Sequence, residues 1–138
     1  MTRRRPLPSR DVGRAKKKRK TPPYTQLTLK HLRKQGYTCA IAEKWNAHFG
    51  IRQDLFGFID IVAIREGSIV GVQSTSEGQR RAHYKKIIAL DTARDWLTAG
   101  GEIWLVTWQR RETGKTCRYD YTLMKIDHGD FPANSEAA

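Results

Sequence analysis

Between Phe58 and Thr75 the chain reads FIDIVAIREGSIVGVQST, two stretches rich in Ile and Val that meet in a turn at Arg65–Ser68. β-Branched residues at this density fit a pleated, half-buried surface, and Gly67 suits a tight reversal, so the stretch predicts an antiparallel hairpin. Three residues sit awkwardly in it. Asp60 stands at the head of the first strand, and Gln73 and Thr75 share one face at the end of the second. If the strands pair through the turn, all three lie near one end of the sheet, where an unpartnered carboxylate is costly to bury. A hard divalent cation offsets that cost, because Mg²⁺ accepts carboxylate, amide-carbonyl and phosphate oxygens.

The remaining pattern predicts elements on either side of this hairpin. Good helix formers run from Thr25 to Gln35, with Gly36 as a stop, and Tyr37 to Trp45 alternates as a strand. Residues 46–53 read as a connection, with Asn46 and Gly50 as breakers. From Gln79 to Leu97 the apolar positions Tyr84, Ile87, Ile88 and Trp96 take helical spacing, ended by Ala99-Gly100-Gly101. Glu102–Trp108 reads as a buried strand and Arg118–Ile126 as an alternating one. Strands mixed with two helices in 138 residues predict one α/β domain over 24–130, a mixed sheet flanked by helices. Residues 1–23 form a basic arm expected to be disordered, and 131–138 a frayed tail. Trp45, Trp96, Trp104 and Trp108 are expected in the core or at its edge.

The charge is uneven. Residues 1–20 hold ten Lys and Arg against Asp11 alone, +9, while the other 118 residues hold sixteen basic and thirteen acidic groups, +3, for +12 in total. An arm so poor in apolar residues cannot offset the entropy of ordering, and its cations seek phosphate. Arg3, Arg4, Arg5, Lys16, Lys17, Lys18, Arg19 and Lys20 are therefore expected to contact DNA. A second cluster, Arg80, Arg81, His83, Lys85 and Lys86, opens the second helix, either as DNA contacts or as a solvated face. Cys39 and Cys117 lack a CxxC spacing, and no apolar run approaches membrane-span length, which suggests a reduced, cytoplasmic protein. The four histidines show no zinc spacing, and the chain has no phosphate-loop, dinucleotide or GxSxG signature.

Asp60, a turn and then Gln73-x-Thr75 together resemble the PD-(D/E)XK nucleases, which include restriction endonucleases, archaeal Holliday-junction resolvases and VRR-NUC domains. Asp60 matches the family aspartate and Gln73 its Glu/Gln position, while Thr75 stands where lysine is usual. The segment RQDLFGF before Asp60 is similar to small phage or prokaryotic resolvase-like proteins. The resemblance implies a restriction-endonuclease-like αβββαβ core over about 24–109 and Mg²⁺-dependent hydrolysis of DNA phosphodiesters, with Mn²⁺ as a substitute. Asp60 is then a metal ligand and Gln73 a neutral carbonyl ligand. Glu43 or Asp54 adds charge, Thr75 helps place water, and the missing cation comes from the Arg80–Lys86 cluster. Duplex or branched DNA is the implied partner, and a homodimer is implied because two symmetric cuts need two sites. Two other readings stay open: a DNA-binding module on the same scaffold that has lost catalysis, and a basic RNA-associated protein in which Asp60 and Gln73 do not converge.

Overall fold

The computed structural model describes residues 23–132. The arm cations from Arg3 to Lys20 lie outside that span. The elements in chain order are α1 (Pro23–Lys34), β1 (Thr38–Ile41), β2 (Lys44–Asn46), β3 (Ile51–Gln53), β4 (Ile61–Arg65) and β5 (Ser68–Ser76). A 3₁₀ turn (Glu77–Gln79), α2 (Arg80–Ile88), α3 (Asp91–Thr98), β6 (Glu102–Thr113), β7 (Thr116–Ile126) and a second 3₁₀ turn (His128–Asp130) follow.

Five strands form one sheet in the order β1-β4-β5-β6-β7, and β2 pairs with β3 apart from it. The β4–β5 hairpin forms as the Ile/Val pattern predicts, with Arg65 opposite Ser68 across the turn. β5 and β6 are parallel, whereas the other neighbours in the sheet are antiparallel. A parallel pair needs a crossover, and α2 with α3 supplies it. The fold is thus α/β, a mixed sheet with helices on both faces.

The period of two along the strands divides the core. Val70, Val72, Trp104, Val106 and Trp108 turn toward Leu29 and Leu32 of α1. Ile103 and Leu105 turn the other way, against Ile87 of α2 and Ala93 of α3, with Phe58, Ile59 and Ile126. Because β6 is covered from both sides, Ile103–Trp108 is a continuous buried run.

Several boundaries differ from the sequence expectation. The single helix over Gln79–Leu97 is two, because Leu90 is extended (φ −95°, ψ 129°). The apolar spacing continues on either side of the break, so periodicity does not register it. The strand expected over Tyr37–Trp45 ends at Ile41, and its last residues join the supposed connection to form the β2–β3 hairpin. Trp104 and Trp108 are core residues and Trp96 packs at the core edge, but Trp45, on that hairpin, is 58% exposed. Phe131, placed in a frayed tail by the sequence, is buried in the second cluster beneath the Arg94 guanidinium. Among the described residues no helix is long and apolar enough to cross a membrane.

Candidate metal-binding site

The turn before β4 brings the acidic residues together. Phe56 and Gly57 both take positive φ (56° and 87°), as a type I′ reversal requires, and Leu55 bridges back to Ile59. A non-glycine residue there costs roughly 1–2 kcal/mol. The Thr92 hydroxyl from α3 holds the turn by donating to the Phe56 carbonyl at 2.6 Å. Asp54 before the reversal and Asp60 after it therefore meet, six residues apart in sequence. Glu43, in the link between β1 and β2, joins them: one carboxylate oxygen from each of Glu43, Asp54 and Asp60 lies within 4.8 Å of the others.

Gln73 sits among these acids. Its Nε2 donates to Asp60 Oδ2 at 2.9 Å and to Asp54 Oδ2 at 3.2 Å, and the Ser74 amide donates to the same Asp60 oxygen at 3.0 Å. Asp60 and Gln73 are 6% and 2% exposed. Gln73 Oε1 is buried without a hydrogen-bond partner among the described residues, at a cost of about 1–3 kcal/mol. A half-turn of the amide exchanges its oxygen and nitrogen. The oxygen would then face the carboxyl groups, an arrangement favoured by a cation among them or by a proton on Asp60.

Burial, then the hydrogen bond and charge of Asp54, push the Asp60 carboxyl up from 3.8 to about 7, and the Ser74 amide and Gln73 oppose the shift. A carboxylate raised by burial and a like charge is returned to its ionised form by a cation. With the amide turned, the cluster would offer three carboxylates and one amide carbonyl, hard oxygens of the kind that Mg²⁺ or Mn²⁺ accepts.

The cations around the site separate into two groups. Lys86 Nζ approaches Asp54 Oδ2 at 3.7 Å, and Arg52 donates to Glu43 Oε2 at 3.1 Å. Arg80 instead pairs with Glu77 at 3.0 Å, and Arg81 and Lys85 line a cleft of about 490 Å³ with Tyr84 and Met124. Thr75 shares the Gln73 face, opposite Thr107 of β6, whose hydroxyl donates to Glu77 at 2.6 Å. His83, one helical turn before Lys86, has a buried Nδ1 without a partner among the described residues. Its pKa is lowered by burial and by Lys86, and Asp54 opposes that shift. The spacing His83-x-x-Lys86 was legible as one helix face; that this face meets Asp54 was not, because the contact depends on how α2 crosses the sheet. No protein-family model matches the chain, and no curated protein matches it in sequence.

Proposed function

We propose that the protein is a Mg²⁺-dependent endodeoxyribonuclease, with Mn²⁺ as a substitute, built on a restriction-endonuclease-like scaffold. The observation that carries this reading is the meeting of Glu43, Asp54 and Asp60 around Gln73 at the end of the β4–β5 hairpin. A sheet unrelated to nuclease chemistry gives no reason for Asp60 and Gln73 to converge, which weighs against the RNA-associated alternative.

In this reading Asp60, Asp54 and Glu43 hold the ion through carboxylate oxygens and Gln73 through Oε1. A bound Mg²⁺ would activate water and neutralise charge on the phosphate. Lys86 takes the part of the lysine missing at Thr75: its ammonium, beside Asp54, donates hydrogen bonds to phosphate oxygens or to the attacking water. The Thr75 hydroxyl helps hold that water. Arg80, Arg81 and Lys85, turned toward the cleft beside α2, hold the DNA backbone, and the arm cations add salt-dependent affinity.

The test incubates the protein with linear and branched DNA under Mg²⁺, Mn²⁺ or chelator. Nicking that appears with metal and is lost with chelator is the expected result. A parent that binds every DNA and cuts none makes the protein a DNA-binding module, the reading that threonine at position 75 favours. Deleting residues 1–20 should flatten the slope of log affinity against log salt by several phosphate contacts, and an unchanged slope removes the arm from the DNA interface.

A further inference from the structure

The β2–β3 hairpin is rooted in the acidic site, with Glu43 immediately before β2 and Asp54 immediately after β3. It nevertheless carries large exposed rings: Trp45 is 58% and Phe49 68% exposed, with His48 packed edge-on against Phe49. Trp45 lies directly opposite Arg52 in the register, and Arg52 reaches back to Glu43, so ring, guanidinium and carboxylate share one face. At about 3.3 Å per strand residue, Trp45 stands only about 7 Å along the chain from Glu43.

We propose that this hairpin is a stacking arm for unpaired nucleobases, which seats a splayed or single-stranded nucleotide next to the acidic site. Exposed aromatic rings with interleaved cations are the chemistry that binds single-stranded nucleic acid, since every base offers a π-face whatever its sequence. Residues 44–53 carry Lys44 and Arg52 and no acid. That charge complements a phosphate backbone, whereas a second copy docked by two-fold symmetry would set these cations against themselves. The arm deepens the nuclease reading, because it selects DNA in which a base is free to leave the stack: branches, flaps, mispairs and single strands. In paired duplex the same rings have no base face to meet.

The test is metal-free binding, so it does not depend on cleavage. A short fluorescein-labelled oligothymidylate and a duplex of equal length are titrated with the parent, Trp45→Ala, Phe49→Ala and Trp45→Phe in chelator. Each alanine variant should bind the single strand about fivefold to a hundredfold more weakly, the range of one lost base–aromatic stack. Duplex binding should change little, and Trp45→Phe should keep most of the affinity. An abasic strand should bind parent and Trp45→Ala alike. Both side chains are exposed, so the thermal midpoint should not move. Equal binding of the single strand by parent and both alanine variants overturns the proposal. So does a parent dimer in sedimentation that the alanine substitutions dissociate, since the arm's occupant is then a second copy. Ring-dependent binding by a protein that never cuts leaves the arm standing and removes the nuclease reading. Metal-dependent cutting with ring-independent binding does the reverse.

Discussion

Ser74 and Gln73 are neighbours on β5 and point to opposite faces of the sheet. Toward α1, the Ser74 hydroxyl lies 2.8 Å from Thr28 Oγ1 and donates to the Tyr24 carbonyl at 3.0 Å, and Trp108 Nε1 donates to Thr28 at 2.8 Å. Every polar side-chain atom in that small network has a partner. Toward α2, Gln73 gives both amide hydrogens to carboxylates and leaves Oε1 with none, beside an aspartate whose pKa burial has raised. A polar group buried for stability is satisfied within the fold. A buried group left unsatisfied beside clustered carboxyls marks the face where a ligand is to be sought.

The change that bears hardest on this contrast is Asp60→Asn. Cleavage supported by Mg²⁺ should fall by a factor on the order of a thousand or more, while DNA affinity holds or rises with one negative charge gone. Stability of the metal-free protein should move in the opposite direction. The unfolded chain releases the Asp60 proton near 3.8, whereas the native state keeps it to about 7. Native stability therefore falls as pH rises between these values and is level above them. Asparagine removes that loss, so the variant should gain on the order of a few kcal/mol over the parent at pH 8 and nothing comparable at pH 4. Thermal melts at both pH values in chelator measure it. A variant less stable than the parent at pH 8 would place Asp60 with Ser74 as a structural group.

Lys86→Ala comes next, with an expected loss in cleavage of about a hundredfold. Alanine at Arg80, Arg81 or Lys85 should instead weaken binding and its salt dependence, with the rate on bound DNA kept. Combining Thr75→Lys with Lys86→Ala should restore part of the rate, because it returns a cation to the same face of β5. Equal single-turnover rates for parent and Lys86→Ala would remove Lys86 from the chemistry. At Gln73, leucine should lower Mg²⁺ affinity about tenfold to a hundredfold, and glutamate should preserve or raise it, by calorimetric titration. Tight Mg²⁺ binding by Gln73→Leu would show that Oε1 is no ligand.

How much of this was legible in the sequence follows from the range of each interaction. The β4–β5 hairpin is set by neighbours in sequence, and its Ile/Val pattern with Gly67 predicted it. Asp60 and Gln73 follow from the same register, since a period of two fixes which residues share a face. Glu43 and Asp54 were candidates without a decision, because their meeting depends on the reversal at Phe56-Gly57, where phenylalanine occupies a position that Asn would have advertised. The β2–β3 hairpin was missed because its strands are three residues each, too short for alternation to register. Trp45 was assigned to the core on residue type alone, which says what a side chain favours and not whether the fold leaves room to bury it.

The smallest effect expected lies on the α1 face. Ser74→Ala removes one hydroxyl, but Thr28 Oγ1 still donates to the Tyr24 carbonyl at 2.8 Å and still accepts from Trp108. The loss should be about 1 kcal/mol, a single hydrogen bond whose partners keep others. Thr28→Val is the sharper companion, because it strands the Trp108 indole N–H in the core and should cost about 1–3 kcal/mol. Denaturant melts rank the two. Neither substitution touches the acidic cluster, so both variants should keep the parental rate on bound DNA. If Ser74→Ala instead slowed cleavage as much as Gln73→Leu, the two faces of β5 would not be independent. The link is then the Ser74 amide, which holds Asp60 from the same residue whose hydroxyl holds α1.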